Sequence, residues 1–156
     1  MEEQVILERH RPTPYVVNFE NKRYEWLGAK NGVPSTKKVP REVYDFIAMG
    51  SSALESGKLV LSKKMTDDLV EELKEEIPNV EKYETNALTK EEVEKILKGN
   101  LKSMEKAFSG IEDFGTKQFI YKVAKEIKIE NSNKQKMIKD LIGSELSIED
   151  LFLEEE

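Results

Sequence analysis

LTKEEVEKILKGNLKSMEKAFSGIEDFGTKQFIYKVAKEIKIENSNKQKMIKDLI, residues 88–142, is the stretch that decides the fold. Thr89-Lys90-Glu91-Glu92 is a capping box, with Thr89 as the expected N-cap and Glu92 at the third helical position. Val93, Ile96 and Leu97 supply an apolar side. Gly99-Asn100 then ends that helix with residues that tolerate the left-handed region. Leu101, Met104, Phe108 and Ile111 follow at helical spacing, and Gly110 and Gly115 bracket a break. Phe119, Ile120, Val123, Ala124 and Ile127 form a stripe wide enough for a buried helix. Ser132-Asn133-Lys134-Gln135 reads as a second capping box. Met137, Ile138, Leu141 and Ile142 repeat the stripe, and Gly143 closes it. Helices this short are marginal alone in water. They are expected to bury their stripes against one another.

Upstream, the pattern changes from helical to alternating. Val5-Ile6-Leu7 is expected to be an edge strand or a docking arm. Arg9-His10-Arg11 follows as a basic arm ended by Pro12 and Pro14, in which the single histidine, His10, is expected to be solvated. Tyr15, Val17 and Phe19 alternate, Glu20-Asn21-Lys22 is turn-like, and Tyr24-Glu25-Trp26-Leu27 resumes the alternation, the signature of a β-hairpin. Residues 28–38, with Gly28, Gly32, Pro34 and Ser35, read as a loop of interaction type. Pro40 suits a helix start, Val43, Phe46 and Ile47 give that helix an apolar side, and Gly50-Ser51-Ser52 ends it. Lys58 to Leu61 reads as another strand. Thr66 caps a further helix carrying Leu69, Val70, Leu73 and Ile77, which Pro78 stops. Glu71, Glu72, Glu75 and Glu76 read as its wet side. Acid–base work would need one of these carboxyls buried with a raised pKa.

Downstream, residues 144–156 carry six acids and no base. Ile148, Leu151 and Phe152 share one helical side. This segment can dock on a partner, cover its own bundle, or act as a solubilising end. Charge is uneven along the chain. Residues 1–65 hold 11 basic and 8 acidic side chains, and residues 66–156 hold 14 and 23, for a net charge of −6 over 156 residues. A nucleic-acid binder usually shows a clear basic excess, and none stands out here. No cysteine is present, which excludes disulfides, zinc–thiolate sites and a cysteine nucleophile. No apolar run reaches the roughly 18–20 residues of a membrane helix. Met1 to Gln4 lacks a signal-peptide pattern, so an intracellular, soluble product is expected.

The run Phe119 to Ile129, with Ala124-Lys125-Glu126 at its centre, followed by Ser132 to Ile142, resembles a helix–extended–helix (HeH) unit and the related LEM and SAP domains. Lys128 stands where that pattern commonly has glycine. The hairpin, the Val39-Pro40-Arg41-Glu42-Val43-Tyr44 helix entry and Gly57-Lys58-Leu59 resemble the front of YqbF-like prophage proteins, in which a small β unit precedes an HeH-like end. The helical part is similar to helical tails of phage-encoded proteins. The expected fold class is therefore α+β: a small β-sheet unit with one helix, then a bundle of short helices with an HeH-like pair. Residues 1–65 form the small domain, 66–86 a helix and linker, 87–143 the helical module and 144–156 the acidic amphipathic tail.

The YqbF-like resemblance implies a phage virion structural protein, a capsid decoration or minor head or head-completion component acting by protein–protein binding. Its partners would be the major capsid protein or other head proteins, in multiple copies or as a homo-oligomer on the particle. Its location would be the virion, and the host cytoplasm during assembly, with neither nucleic acid nor membrane as partner. The HeH resemblance implies the alternative, nucleic-acid binding, with Lys125, Lys134, Lys136 and Lys139 near phosphates. No P-loop, GxSxG or HExxH motif occurs, so no catalytic, cofactor or metal residue is assigned and an enzyme is not expected. The residues expected to contact a partner are Tyr24, Trp26, Lys37, Lys38, Arg41, Leu151 and Phe152. For Tyr15, Phe19, Tyr24 and Trp26 the readings are a base-stacking platform or simply core. For Lys37, Lys38 and Arg41 they are phosphate, an acidic protein surface, or solvent.

Overall fold

The computed structural model describes residues 4–31 and 33–153. Expectations placed on Met1 to Glu3, on Gly32 and on Glu154 to Glu156 lie outside the described residues. The architecture is α+β. The chain forms two compact units that divide between Leu88 and Thr89.

The first unit is organised by β1 (Gln4–Arg9). Val5, Leu7 and Arg9 alternate inward, so this strand has one buried face. It is neither an edge nor an arm. β4 (Ser35–Pro40) pairs along its whole length, from Gln4↔Pro40 to Arg9↔Ser35. On the other side β5 (Val60–Leu61) pairs through Leu7↔Leu61 and Glu8↔Val60, giving the antiparallel order β4-β1-β5. Residues 35–38, expected as loop, are thus strand. Only Val39 of β4 is fully buried, so no apolar alternation marks it. Its backbone pairing with β1 holds it extended. Lysines and a proline on an edge strand also oppose further pairing.

β2 (Tyr15–Phe19) and β3 (Lys22–Trp26) form a separate two-stranded hairpin in the register Tyr15↔Trp26 to Phe19↔Lys22. Glu20 and Asn21 both have positive φ (46° and 67°), as a two-residue turn of type I′ requires. The turn is therefore one residue shorter than expected, and Lys22 belongs to β3. Val17 and Trp26 face the core.

α1 (Arg41–Gly50) starts directly after Pro40, which is its N-cap, and buries Val43, Tyr44, Ile47 and Ala48. Phe46, expected inward, is 45% exposed and lies against Phe19 with ring centroids 5.1 Å apart. Tyr44 takes the inward place, and its hydroxyl donates to the Leu73 carbonyl at 2.6 Å. Burial pushes that phenol well above its ordinary pKa. α2 (Asp67–Glu75) is capped by Thr66, which accepts from Leu69 N–H. α3 (Val80–Asn86) then brings Tyr83, whose hydroxyl accepts the Leu61 N–H at 2.9 Å. That bond covers a strand group on the outer side of β5. Leu73, Ile77 and Tyr83 share one core with Val5, Leu7 and Trp26. Residues 66–86, read as helix and linker, therefore complete the first unit.

The second unit holds α4 (Lys90–Lys98), α5 (Leu101–Phe108), α6 (Phe114–Glu126), α7 (Ser132–Ile142) and α8 (Ile148–Leu151). Val93, Leu97, Met104, Phe108, Ile111, Phe119, Ile120, Val123, Ala124, Ile138 and Leu151 are buried. Thr89 caps α4 by accepting from Glu92 N–H, and its hydroxyl also donates to Glu92 Oε1 at 3.1 Å. Gly99 is extended (φ −76°, ψ −171°), not left-handed, because Asn100 immediately caps α5 through Ser103 N–H. Gly115 lies inside α6, whose start is set by Asp113 accepting from the Thr116 N–H and hydroxyl.

The second capping box is displaced by one residue. Asn131, not Ser132, is the N-cap of α7, accepting from Asn133 N–H and Lys134 N–H at 3.0 and 3.1 Å. The side chain of Gln135 turns instead to the Ile129 carbonyl at 2.7 Å. Asn131 Oδ1 thus takes two of the free N–H groups of the first turn, and Ser132 becomes the first helical residue. Asn131→Ala is expected to cost about 1 kcal/mol in urea unfolding, and Ser132→Ala close to nothing. The reverse ranking would restore Ser132 as the cap.

α6 and α7 end alike. After α7, Gly143 (φ 65°) carries the chain through the left-handed region, with Gly143 N–H to the Asp140 carbonyl and Ser144 N–H to the Lys139 carbonyl. After α6, Lys128 N–H reaches the Lys125 carbonyl and Ile129 N–H the Ala124 carbonyl. Both are Schellman motifs. In the first-occurring of them the left-handed residue is Lys128, at φ 56°.

Candidate functional site

The basic arm of the first unit is built into the structure. Arg9 is buried and donates from Nε to the Thr13 carbonyl (3.0 Å), from one terminal nitrogen to the Lys58 carbonyl (3.0 Å) and from the other to the Thr13 hydroxyl (2.9 Å). Its guanidinium also sits 5.4 Å from the centre of the Tyr15 ring, a cation–π contact. Burial, with Arg11 adding, lowers its pKa to about 10, so it stays charged at neutral pH. Arg11 donates to the Ser56 carbonyl at 2.6 Å. His10, expected in solvent, is largely covered, with Nε2 2.9 Å from Glu8 Oε1. Glu8 in turn accepts from the Ser62 hydroxyl at 2.8 Å. These side chains tie β1 to the 56–62 segment.

The seven residues expected at a partner surface scatter. Trp26 is fully buried, and its indole N–H donates to the Leu7 carbonyl at 3.1 Å, so it is core and offers no stacking face. A domain this small fills its interior with its largest side chain, and the indole's one donor finds a buried acceptor. Tyr24 is half-buried opposite Val17. Lys37 is half-buried and Lys38 exposed, opposite Leu7 and Ile6 on β4. Leu151 is 3% exposed and is also core. The Tyr121 hydroxyl donates to its carbonyl, and Phe152 packs edge-on against the Tyr121 ring, centroids 5.9 Å apart. Residues 147–152 thus dock on their own bundle. Glu149 and Asp150 stay exposed while Leu151 is buried.

Arg41 is held inside the first unit. It lies 3.3 Å from Asp45, 3.7 Å from Glu72 and 2.6 Å from Glu76, so it bridges α1 and α2. This cluster contains the raised carboxyl that acid–base chemistry would need. Glu76 Oε2 is buried without a hydrogen-bond partner among the described residues. Asp45, able to share a proton with it, pushes the Glu76 pKa above its ordinary 4.5; burial adds to this, while Arg41 opposes it. Two ionised carboxylates have no proton to share, whereas a protonated Glu76 donates. The folded state thus holds this proton more tightly than the unfolded chain. Its contribution to stability is present below pH 4.5 and is lost as pH rises through the raised value. Denaturant midpoints should therefore fall over that window, and Glu76→Gln should remove that part of the fall. An identical pH profile in the variant would refute the proton-sharing pair.

In the second unit, Lys134 is engaged as well. Its Nζ donates to the Leu97 carbonyl at 2.6 Å and to the Gly99 carbonyl, closing the C-terminal end of α4. It is therefore not placed to hold a phosphate as the helix-pair resemblance implies. Lys90 pairs with Glu126 at 2.8 Å, linking α4 to α6. Between α6, the 127–131 link and the end of α8 lies a groove of about 570 Å³, lined by Lys122, Lys125 and Lys128 and by Ile129, Phe152 and Leu153. Sequence reading picked out Phe152 and Lys125 but not the groove, because its walls are 20 to 30 residues apart.

Large apolar side chains remain at the surface of each unit. Met49 is 74% exposed beside Phe46 on α1, and Phe114 is 66% exposed at the start of α6. Among the described residues no group of three or more His, Asp or Glu side chains is placed to hold a metal ion, and no helix is long and apolar enough to cross a membrane.

Comparison with curated proteins and with solved structures returned no match. Two family models do match. Residues 3–79 match the YonA N-terminal domain, and residues 89–148 match the YonA C-terminal domain. These matches fall within the first and the second compact unit respectively. The narrower likenesses to YqbF-like proteins and to an HeH pair rest on the sequence pattern alone. With both of its domains present in order, the chain belongs to the YonA family, a phage-type protein family.

Proposed function

We propose that this chain is a structural component of a phage particle, associated with the capsid as a decoration, minor head or head-completion protein, and that it acts by binding other proteins. The observation that carries this reading is how the side chains are used. The groups best suited to chemistry or phosphate binding, Arg9, His10, Arg41, Glu76 and Lys134, are engaged within their own units. Large apolar side chains, Phe46, Met49 and Phe114, face outward instead. Exposed aromatic and methionine side chains favour protein contacts. Membership in a phage-type family supports the setting. Partners are the major capsid protein or other head proteins, and several copies per particle are expected.

Mass spectrometry of purified virions from a phage encoding this chain tests the proposal. The chain should be found in stoichiometric amount with head proteins; its absence from the particle sinks the reading. Nucleic-acid binding, the other reading of α6 and α7, loses Lys134 to the α4 carbonyls. A gel-shift titration with a salt series separates the two, since phosphate contacts produce a steep salt slope.

A further inference from the structure

One side of α1 stays open to solvent. Glu42, Asp45, Phe46 and Met49 recur along it at i, i+3, i+4 and i+7, acidic toward the start of the helix and apolar toward its end. Phe46 is 45% exposed although its ring lies 5.1 Å from that of Phe19, so the apolar part continues from α1 onto β2. Met49 is 74% exposed. Val43, Tyr44, Ile47 and Ala48 already fill the buried side, so nothing in the packing of this unit requires Met49 to be large and apolar. Methionine and aromatic side chains displayed in this way are enriched where proteins bind proteins.

The charge beside this stripe decides what can cover it. α1 carries two acids and residues 67–76 carry six, against the bases Arg41 and Lys74. Arg41 is shared by Asp45, Glu72 and Glu76, and Lys74 lies between Glu71 at 3.6 Å and Glu84 at 3.9 Å. Each base is outnumbered by the carboxylates it touches, so these pairs leave a net negative charge. On the hairpin side Lys22 stands opposite Phe19, with Glu20 just before it in the turn, and Arg23 pairs with Glu25 at 3.2 Å. The hairpin therefore does not offset the acids of α1 and α2.

We propose that this stripe docks a basic, partly apolar segment of a partner protein. The apolar side chains of that segment cover Met49 and Phe46, and its lysines or arginines lie along Glu42 and Glu72. A second copy of this chain offering the same stripe is the poorer match, since it would set acids against acids. The proposal rests on the protein-binding reading above but fails separately from it: the chain can be present in the particle while the stripe binds no such segment.

Fluorescence anisotropy with the full chain tests this using three labelled probes: an amphipathic peptide of lysine, leucine and phenylalanine, the same peptide with glutamate for lysine, and a lysine–serine peptide of equal charge. The first should bind most tightly of the three, and more weakly as salt rises. Met49→Ser is the decisive variant. Its site is so exposed that unfolding should be unchanged, yet binding should weaken by about tenfold. Glu42→Gln together with Glu72→Gln should weaken binding by about threefold or more. Glu145→Gln together with Glu149→Gln, which removes the same charge from the second unit, should not. Unchanged binding in Met49→Ser, equal binding of the lysine–serine peptide, tighter binding of the glutamate peptide, or equal effects of the two charge pairs overturns the proposal. Sedimentation velocity checks the other occupant: a dimer that Met49→Ser dissociates would place a second copy on the stripe and would also overturn it.

Discussion

Trp26→Ala lowers the unfolding free energy of the first unit by about 3–5 kcal/mol, the range for deleting a buried aromatic side chain. Trp26 is fully buried among Val5, Leu7, Val17 and Tyr15, whose ring centroid lies 6.4 Å away. Alanine leaves a void that a close-packed interior fills poorly, and it also strips the Leu7 carbonyl of its indole donor. Trp26→Phe separates the two effects. It restores most of the volume but not the donor, so about 1–3 kcal/mol of the loss should remain. Equilibrium denaturation followed by far-UV circular dichroism measures both. A Trp26→Ala loss under about 1 kcal/mol would mean that the indole is not core, and would return it to the surface role first expected of it.

Gly57→Ala should be similarly damaging through a different mechanism. Gly57 has φ +72°, and a Cβ there would sit 2.1 Å from the Asn86 carbonyl oxygen. The left-handed conformation alone costs about 1–2 kcal/mol for a side-chain-bearing residue. The clash is with backbone, which cannot swing aside as a lysine tip can. It would push the end of α3 away from the 53–58 turn, breaking the bond from Asn86 Nδ2 to the Glu55 carbonyl at 2.8 Å. A total loss above about 2 kcal/mol is expected. Gly110→Ala is the internal control: a Cβ there meets nothing within 4 Å, so the change should be near neutral. Equal effects at the two glycines would show that the Gly57–Asn86 approach is not tight.

The helical stretch was legible because its signals are local. Thr89, Asn100 and Gly143 stand where the helices begin and end. Cap chemistry acts over three or four residues, so it survives in the sequence. Where two caps compete within one turn, as Asn131 does with Ser132, pattern reading slipped by a residue. The hairpin was legible for the same reason: its alternation and its turn lie within 12 residues, 15–26.

Pairing between distant segments was not legible. β4 bears only one fully buried apolar residue, yet it spans six residues because β1 lies beside it. Nothing in Ser35-Thr36-Lys37-Lys38 reports that neighbour. The same holds for Arg9, whose partners are Thr13 and Lys58, and for Arg41, whose partners include Glu72 and Glu76. Both read as surface cations because a charge far from its partner in sequence carries no mark of being paired. Lys128 is the opposite case. The sequence showed that a glycine was missing, but not that the backbone takes the left-handed turn regardless.

By itself, then, the sequence determined the α+β class, the helices of the second unit and the hairpin of the first. Each follows from periodicity, capping or turn chemistry acting between residues a few places apart. Only the tertiary structure decided which of the conspicuous side chains are available. It buried Trp26 and Leu151, tied up Arg41 and Lys134, turned Phe46 and Met49 outward, and gathered Lys122, Lys125 and Lys128 around one groove. Exposure and convergence are properties of three-dimensional packing, set by contacts tens of residues apart, and no local pattern encodes them.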